Sequence, residues 1–216
     1  MATEAVLQRT GPARSGWGLT LGIGAVLLLG SLLLLALAGV EEAGVRMWIR
    51  ATARASVALF LLAFVARPLR RFWRSRTSAW LVANRRYLGV SAALAQALHG
   101  VALVWFFRAF ASAEDTPDTQ TLIGGGLAFA LYFAMALSSS DAAVAALGRR
   151  AWKALHSVGA YWVWFVFALT NWGNVQLALS GELGLAHRVL YVGIQAALIA
   201  AIGLRVLARI RANALD

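Results

Sequence analysis

The chain has 216 residues, 61% of them hydrophobic and 13% charged, with a mean hydropathy of +0.71. Soluble domains carry roughly 45–50% apolar and about 25% charged residues, so this composition excludes a soluble globular protein and specifies a polytopic membrane protein. The net charge of +11 and the absence of cysteine exclude more: the basic residues lie in short clusters between apolar runs rather than on a nucleic-acid-binding face, and disulfides, thiol catalysis, iron–sulfur clusters and cysteine-based zinc sites are all ruled out.

Residues 1–16 are polar, with Arg9 and Arg14, and read as a short cytoplasmic tail. Trp17 to Val40 is a leucine-rich run, too long for the apolar region of a signal peptide (about 7–15 residues) and therefore a retained first span. Glu41 and Glu42 form an acidic outer loop. A second span is expected over about 48–66, ended by Pro68. From Arg67 to Arg86 there are seven arginines (67, 70, 71, 74, 76, 85 and 86) and no acid, which reads as a basic inner loop.

The third span is expected over about 87–110, followed by an acidic loop with Glu114, Asp115 and Asp118. The fourth, about 121–137, carries Gly124-Gly125-Gly126; no Lys-Ser/Thr follows, so close helix packing is expected there rather than a phosphate loop. A second basic loop bears Arg149, Arg150 and Lys153. The fifth and sixth spans are expected over about 151–172 and 185–208, and residues 212–216 form a C-terminal tail. The loop charges alternate in sign, which predicts an all-α, six-helix transmembrane bundle over 17–211 with both termini in the cytoplasm.

Three histidines are present: His99, His156 and His187. His99 lies thirteen residues after Arg86, about 20 Å into the bilayer, and His156 six residues after Arg150, about 9 Å in. Ionisable residues inside a span are costly and mark functional sites. Ala92, Ala95, Ala102 and Phe106 share the face of His99, and Gly159 and Ala160 lie near His156, so both faces are expected to leave room for a flat ligand. Two readings stand side by side: axial ligation of a haem by these imidazoles, or histidines hydrogen-bonded across helices. Arg50 and Arg54, one turn apart, either hold haem propionates or reach lipid headgroups. Every acid lies in a loop or a terminus, which leaves a proton-driven transporter without carriers.

The run WIRATARASVALFLLAFVARPLRRFW (48–73), the RRYLG at 85–89 followed by His99, and LGRRAWKALH ending in His156 together resemble the ferric-reductase-like transmembrane family. The likeness is nearest to the haem-binding membrane subunits of bacterial methionine-sulfoxide reductase systems. The resemblance implies a bacterial inner-membrane subunit that binds b-type haem through His99 and His156 and catalyses no bond change itself; with these the only deep imidazoles in the chain, at most one haem per chain is expected. Electrons would come from a cytoplasmic flavoprotein, with flavin as a further cofactor, or from quinol, and pass to an outer-side reductase subunit. Members of the family carry another histidine about thirteen residues after His156; Leu169 stands there in this chain, and His187 is the remaining imidazole. A haem-less structural or assembly subunit of the same fold is the alternative.

Overall fold

The computed structural model describes residues 16–181 and 183–214. The N-terminal tail expected over 1–16 falls outside the described residues except for Gly16, and the C-terminal tail is described only as far as Ala214. The described elements are α1 (Gly16–Ala38), α2 (Glu42–Phe72), α3 (Arg76–Ala109), a 3₁₀ turn (Ala113–Asp115), α4 (Thr119–Leu137), α5 (Asp141–Leu147), α6 (Arg149–Leu179) and α7 (Leu185–Asn213). Five of these, α1, α2, α3, α4 and α7, are long and apolar enough to cross a membrane. Helix α6 has the length, at 31 residues, but not the hydropathy. Its apolar surface is largely aromatic (Tyr161, Trp162, Trp164, Trp172), which buries well while scoring low on hydropathy, and His156 and Asn171 interrupt it.

Five helices close into a ring. α2 and α3 form its most intimate pair; α4 packs on α3 and α6, α6 on α7, and α7 returns to α2. The ring is filled by Phe60 and Phe64 of α2, Ala92 and Ala93 of α3, Tyr132 of α4, Ala160 and Val163 of α6, and Ala201 of α7. Phe60 meets Phe64 at 5.1 Å and Phe167 at 5.5 Å between ring centroids. α1 lies outside the ring against α3 and α2, with only Thr20 and Ser31 buried. Its turn into α2 depends on two glycines. Gly39 has φ +84°, and a Cβ on Gly44 would run into the Gly39 carbonyl.

Pro68 does not end α2, which continues to Phe72. Proline has no N–H to give the carbonyl four residues earlier, and in hydrocarbon that orphan would be expensive. Another helix satisfies it: Arg205 of α7 donates to the Phe64 carbonyl at 3.3 Å. Arg85 of α3 donates likewise to the neighbouring Ala63 carbonyl at 2.9 Å. The basic stretch 67–86 is consequently not a loop. Only residues 73–75 connect α2 to α3, and a capping box between Ser75 and Ser78 starts α3.

The three glycines of α4 also depart from expectation. A Cβ at Gly124, Gly125 or Gly126 would meet nothing within 4 Å, so no helix packs closely there. What the glycines expose is backbone, and the Trp162 indole donates to the Gly124 carbonyl at 3.3 Å. Glycine in a helix interior costs about 0.5–1 kcal/mol relative to alanine. Gly125→Ala is therefore expected to stabilise the protein by about that amount, read as a raised thermal midpoint in detergent.

At the opposite end of the bundle from the arginine-rich helix ends, Arg46 binds Glu42 at 2.7 Å and Asp115 at 2.9 Å and lies over Phe106 at 4.2 Å. The backbone N–H and hydroxyl of Ser112, with Arg46, hold the Asp115 carboxyl below its ordinary value. A carboxyl with a lowered folded value stabilises the fold above its unfolded value of about 4 and loses that contribution as the pH falls further. Asp115→Asn is expected to leave stability between about pH 5 and 8 insensitive to pH and to flatten only the acid limb of the stability profile.

Candidate functional site

His99 sits on the buried face of α3, and its Nδ1 lies 3.1 Å from the Ile49 carbonyl of α2. A carbonyl only accepts, so Nδ1 carries the proton and Nε2 keeps its lone pair. Metal-bound histidines are commonly oriented in this way. The ring lies parallel to Phe129 of α4, 6.2 Å between centroids. Two polar atoms close in sequence to His99 and Ile49 have no partner among the described residues. They are Oε1 of Gln96, one turn before His99, and Nε1 of Trp48, which precedes Ile49; the two residues are 7% and 5% exposed. Buried polar atoms are nearly always satisfied, so this orphaned donor and acceptor suit a further polar group. On these grounds the His99 region fits an axial ligand of haem.

His156 is occupied differently. Its Nε2 is 3.0 Å from Ser138 Oγ at the end of α4, and Trp152 covers the ring at 4.2 Å. The space expected beside it is filled, because a Cβ on Gly159 would lie 2.9 Å from Met135 Sδ. The small residues around His99 are spent in the same manner. Ala92, Ala95 and Ala102 are fully buried; small side chains let helix backbones approach in a membrane, and α3 packs most intimately on α2. Phe129 and Ser138, which mark the two histidines on α4, are nine residues apart, about 13 Å along the helix. His99 and His156 are thus not brought together, and a single haem bridged by both does not fit this arrangement.

The remaining candidates scatter. Arg54 turns to α7, with a guanidinium nitrogen 3.3 Å from Tyr191 Oη, whereas Arg50 is exposed. Leu169 is 60% exposed. At 100° per residue it lies about 120° from the buried Val163, on the flank of α6 with the exposed Val158, Phe165 and Trp172. An imidazole at 169 would leave the bundle rather than join the interior that His99 faces. His187 is exposed with its ring 6.3 Å from Tyr191. Among the described residues no group of three or more His, Asp or Glu gathers as a metal site. The orphaned atoms of Gln96 and Trp48 were not legible in the sequence, because their missing partners appear only once α2 and α3 are packed.

The family model for the ferric reductase like transmembrane component matches residues 51–168. The chain is also similar to the protein-methionine-sulfoxide reductase heme-binding subunit MsrQ of Azospira oryzae, 34% identical over 161 residues. That alignment takes in 72% of this chain, which spans 62% of the relative's length. No solved structure matches. The matched segment begins just after Arg50 and takes in Arg54, His99 and His156, and over that segment the chain belongs to the ferric-reductase-like transmembrane family.

Proposed function

We propose that this chain is an integral-membrane b-type haem subunit that relays electrons across the bilayer. The observation that carries the reading is the His99 imidazole, with Nδ1 turned to the Ile49 carbonyl and Nε2 free. Family membership and the printed name of the Azospira oryzae relative support it. In this proposal His99 holds a single haem. Arg54 and Arg50, at the same end of α2, offer guanidinium groups to its propionates, and Gln96 and Trp48 supply polar contacts. Haem when bound contributes one-electron chemistry, its iron alternating between ferric and ferrous. His156 becomes a ligand only where Ser138 and Trp152 release it.

The proposal extends to topology. Helix α6 spans as the sixth helix, both termini lie in the cytoplasm of a bacterial inner membrane, and the arginine-rich helix ends face inward. Electrons enter on that side from a flavoprotein, with its flavin, or from quinol, and leave to an acceptor subunit outside. Single cysteines test the orientation. Thr77 and Glu114 are both exposed and suit the purpose better than Ser75, which caps α3, or Ser112, which holds Asp115. A membrane-impermeant thiol reagent applied to intact cells is expected to label Glu114→Cys and spare Thr77→Cys; the opposite pattern reverses the topology.

The haem itself is tested by absorption spectra of the detergent-purified protein, oxidised and dithionite-reduced, with haem measured per chain. The expected ratio is at most one. The filled Gly159 notch and the Ser138 contact of His156 favour a second reading, a structural or assembly subunit without haem. A colourless protein from haem-sufficient cells would select it.

A further inference from the structure

At the end of the bundle where α2 and α7 finish, a cluster of charge has no role in the His99 site. Arg67, Arg70 and Arg71 follow the i, i+3, i+4 spacing that stacks side chains on one helical face, and Arg74 lies in the connection just beyond the end of α2. Arg211 of α7 faces them, and the five guanidinium groups line an open basin of about 680 Å³. Among the described residues no carboxylate lines it; the ion pair described at this end, Arg86 with Asp141, lies elsewhere. Arg70 is fixed by the Ser75 carbonyl at 2.9 Å and Ser78 Oγ at 3.4 Å, and Arg211 lies 5.8 Å from the Phe72 ring. Arg67, Arg71 and Arg74 have no hydrogen bond or ion pair among the described residues.

Topology and the helix dipole account for arginine at inner helix ends. They do not account for convergence, since charges that need only face water would spread apart to relieve repulsion. Guanidinium groups take up phosphate oxygens in pairs, and basic pockets between membrane helices receive lipid phosphates. We propose that this basin binds a ligand presenting two phosphate groups at the α2–α7 seam. A diphosphatidyl lipid and free pyrophosphate share that chemistry. Because α7 meeting α2 closes the ring, the bound diphosphate ties the closing seam together. This inference does not depend on haem.

The test uses the full chain in phosphatidylcholine vesicles, its thermal unfolding followed with cardiolipin added in one arm and inorganic pyrophosphate in the other. Cardiolipin is expected to raise the midpoint of the parent. Arg67→Gln/Arg71→Gln is expected to weaken that binding about thirtyfold. Arg149→Gln/Arg150→Gln removes the same charge from exposed positions outside the basin and is expected to change nothing. Arg71→Lys, which keeps the charge, is expected to retain most of the effect. Protection by pyrophosphate alone would still support the diphosphate site and assign it to a soluble ligand. No protection by either compound, or equal loss in the control pair, overturns the proposal.

Discussion

Replacing His99 by alanine is expected to abolish most of the reduced-minus-oxidised haem absorbance. Polar partners of metal ligands are commonly worth 10–100-fold in affinity, so loss of the ligand itself should cost at least about 100-fold. The alanine variant also empties a space beside Phe129 and frees the Ile49 carbonyl, so lost colour alone would not separate ligation from packing. His99→Gln makes the separation, because its amide keeps a donor for that carbonyl and fills much of the volume. The expected pattern is near-parental thermal stability with haem lost in His99→Gln, and haem kept in His156→Ala. Full haem in both His99 variants would reduce His99 to a packing residue. Equal loss in His156→Ala would mean that the two imidazoles share one haem after a rearrangement of α4 and α6.

The second large effect concerns Arg205. Its side chain donates to the Phe64 carbonyl and lies 4.0 Å from the Phe64 ring and 4.8 Å from Tyr161. Arg205→Leu leaves a carbonyl that Pro68 cannot serve and removes two cation–π contacts, an expected loss of about 2–4 kcal/mol. Pro68→Ala restores the missing N–H, so in that background Arg205→Leu should cost roughly half as much. The measurement is a double-mutant cycle on unfolding in detergent. Strictly additive effects would show that Arg205 does not act through the proline-freed carbonyl.

The same pair of residues marks how far the sequence could be read. Composition, apolar runs and alternating loop charge gave the helical membrane architecture, because each is a local property of the chain. The RRYLG and LGRRAWKALH motifs pointed to the family for the same reason. The end of the second helix was misplaced at Pro68 because its rescue comes from a residue 141 positions from the carbonyl, and nothing near Pro68 announces it. The glycines of α4 and the alanines of α3 were equally ambiguous. Small residues permit close packing, and only the packed structure says that Ala95 is fully buried while Gly125 faces open space. Leu169 was assigned by spacing from His156, and a spacing of thirteen residues does not return to the same helical face.

The long-range cap has a consequence for how the protein is made. Helix α2 leaves the ribosome with its Phe64 carbonyl unserved, and the guanidinium that completes it arrives only with α7. At about 5–20 residues per second, the 141 residues between the two partners keep the half-built bundle waiting roughly seven to thirty seconds with this carbonyl unserved and its ring open. During that interval the nascent chain offers an insertase or a membrane chaperone a defined feature to hold, and a protease a defined feature to find. Synthesis stopped before Arg205 would leave the Phe64 carbonyl without this donor.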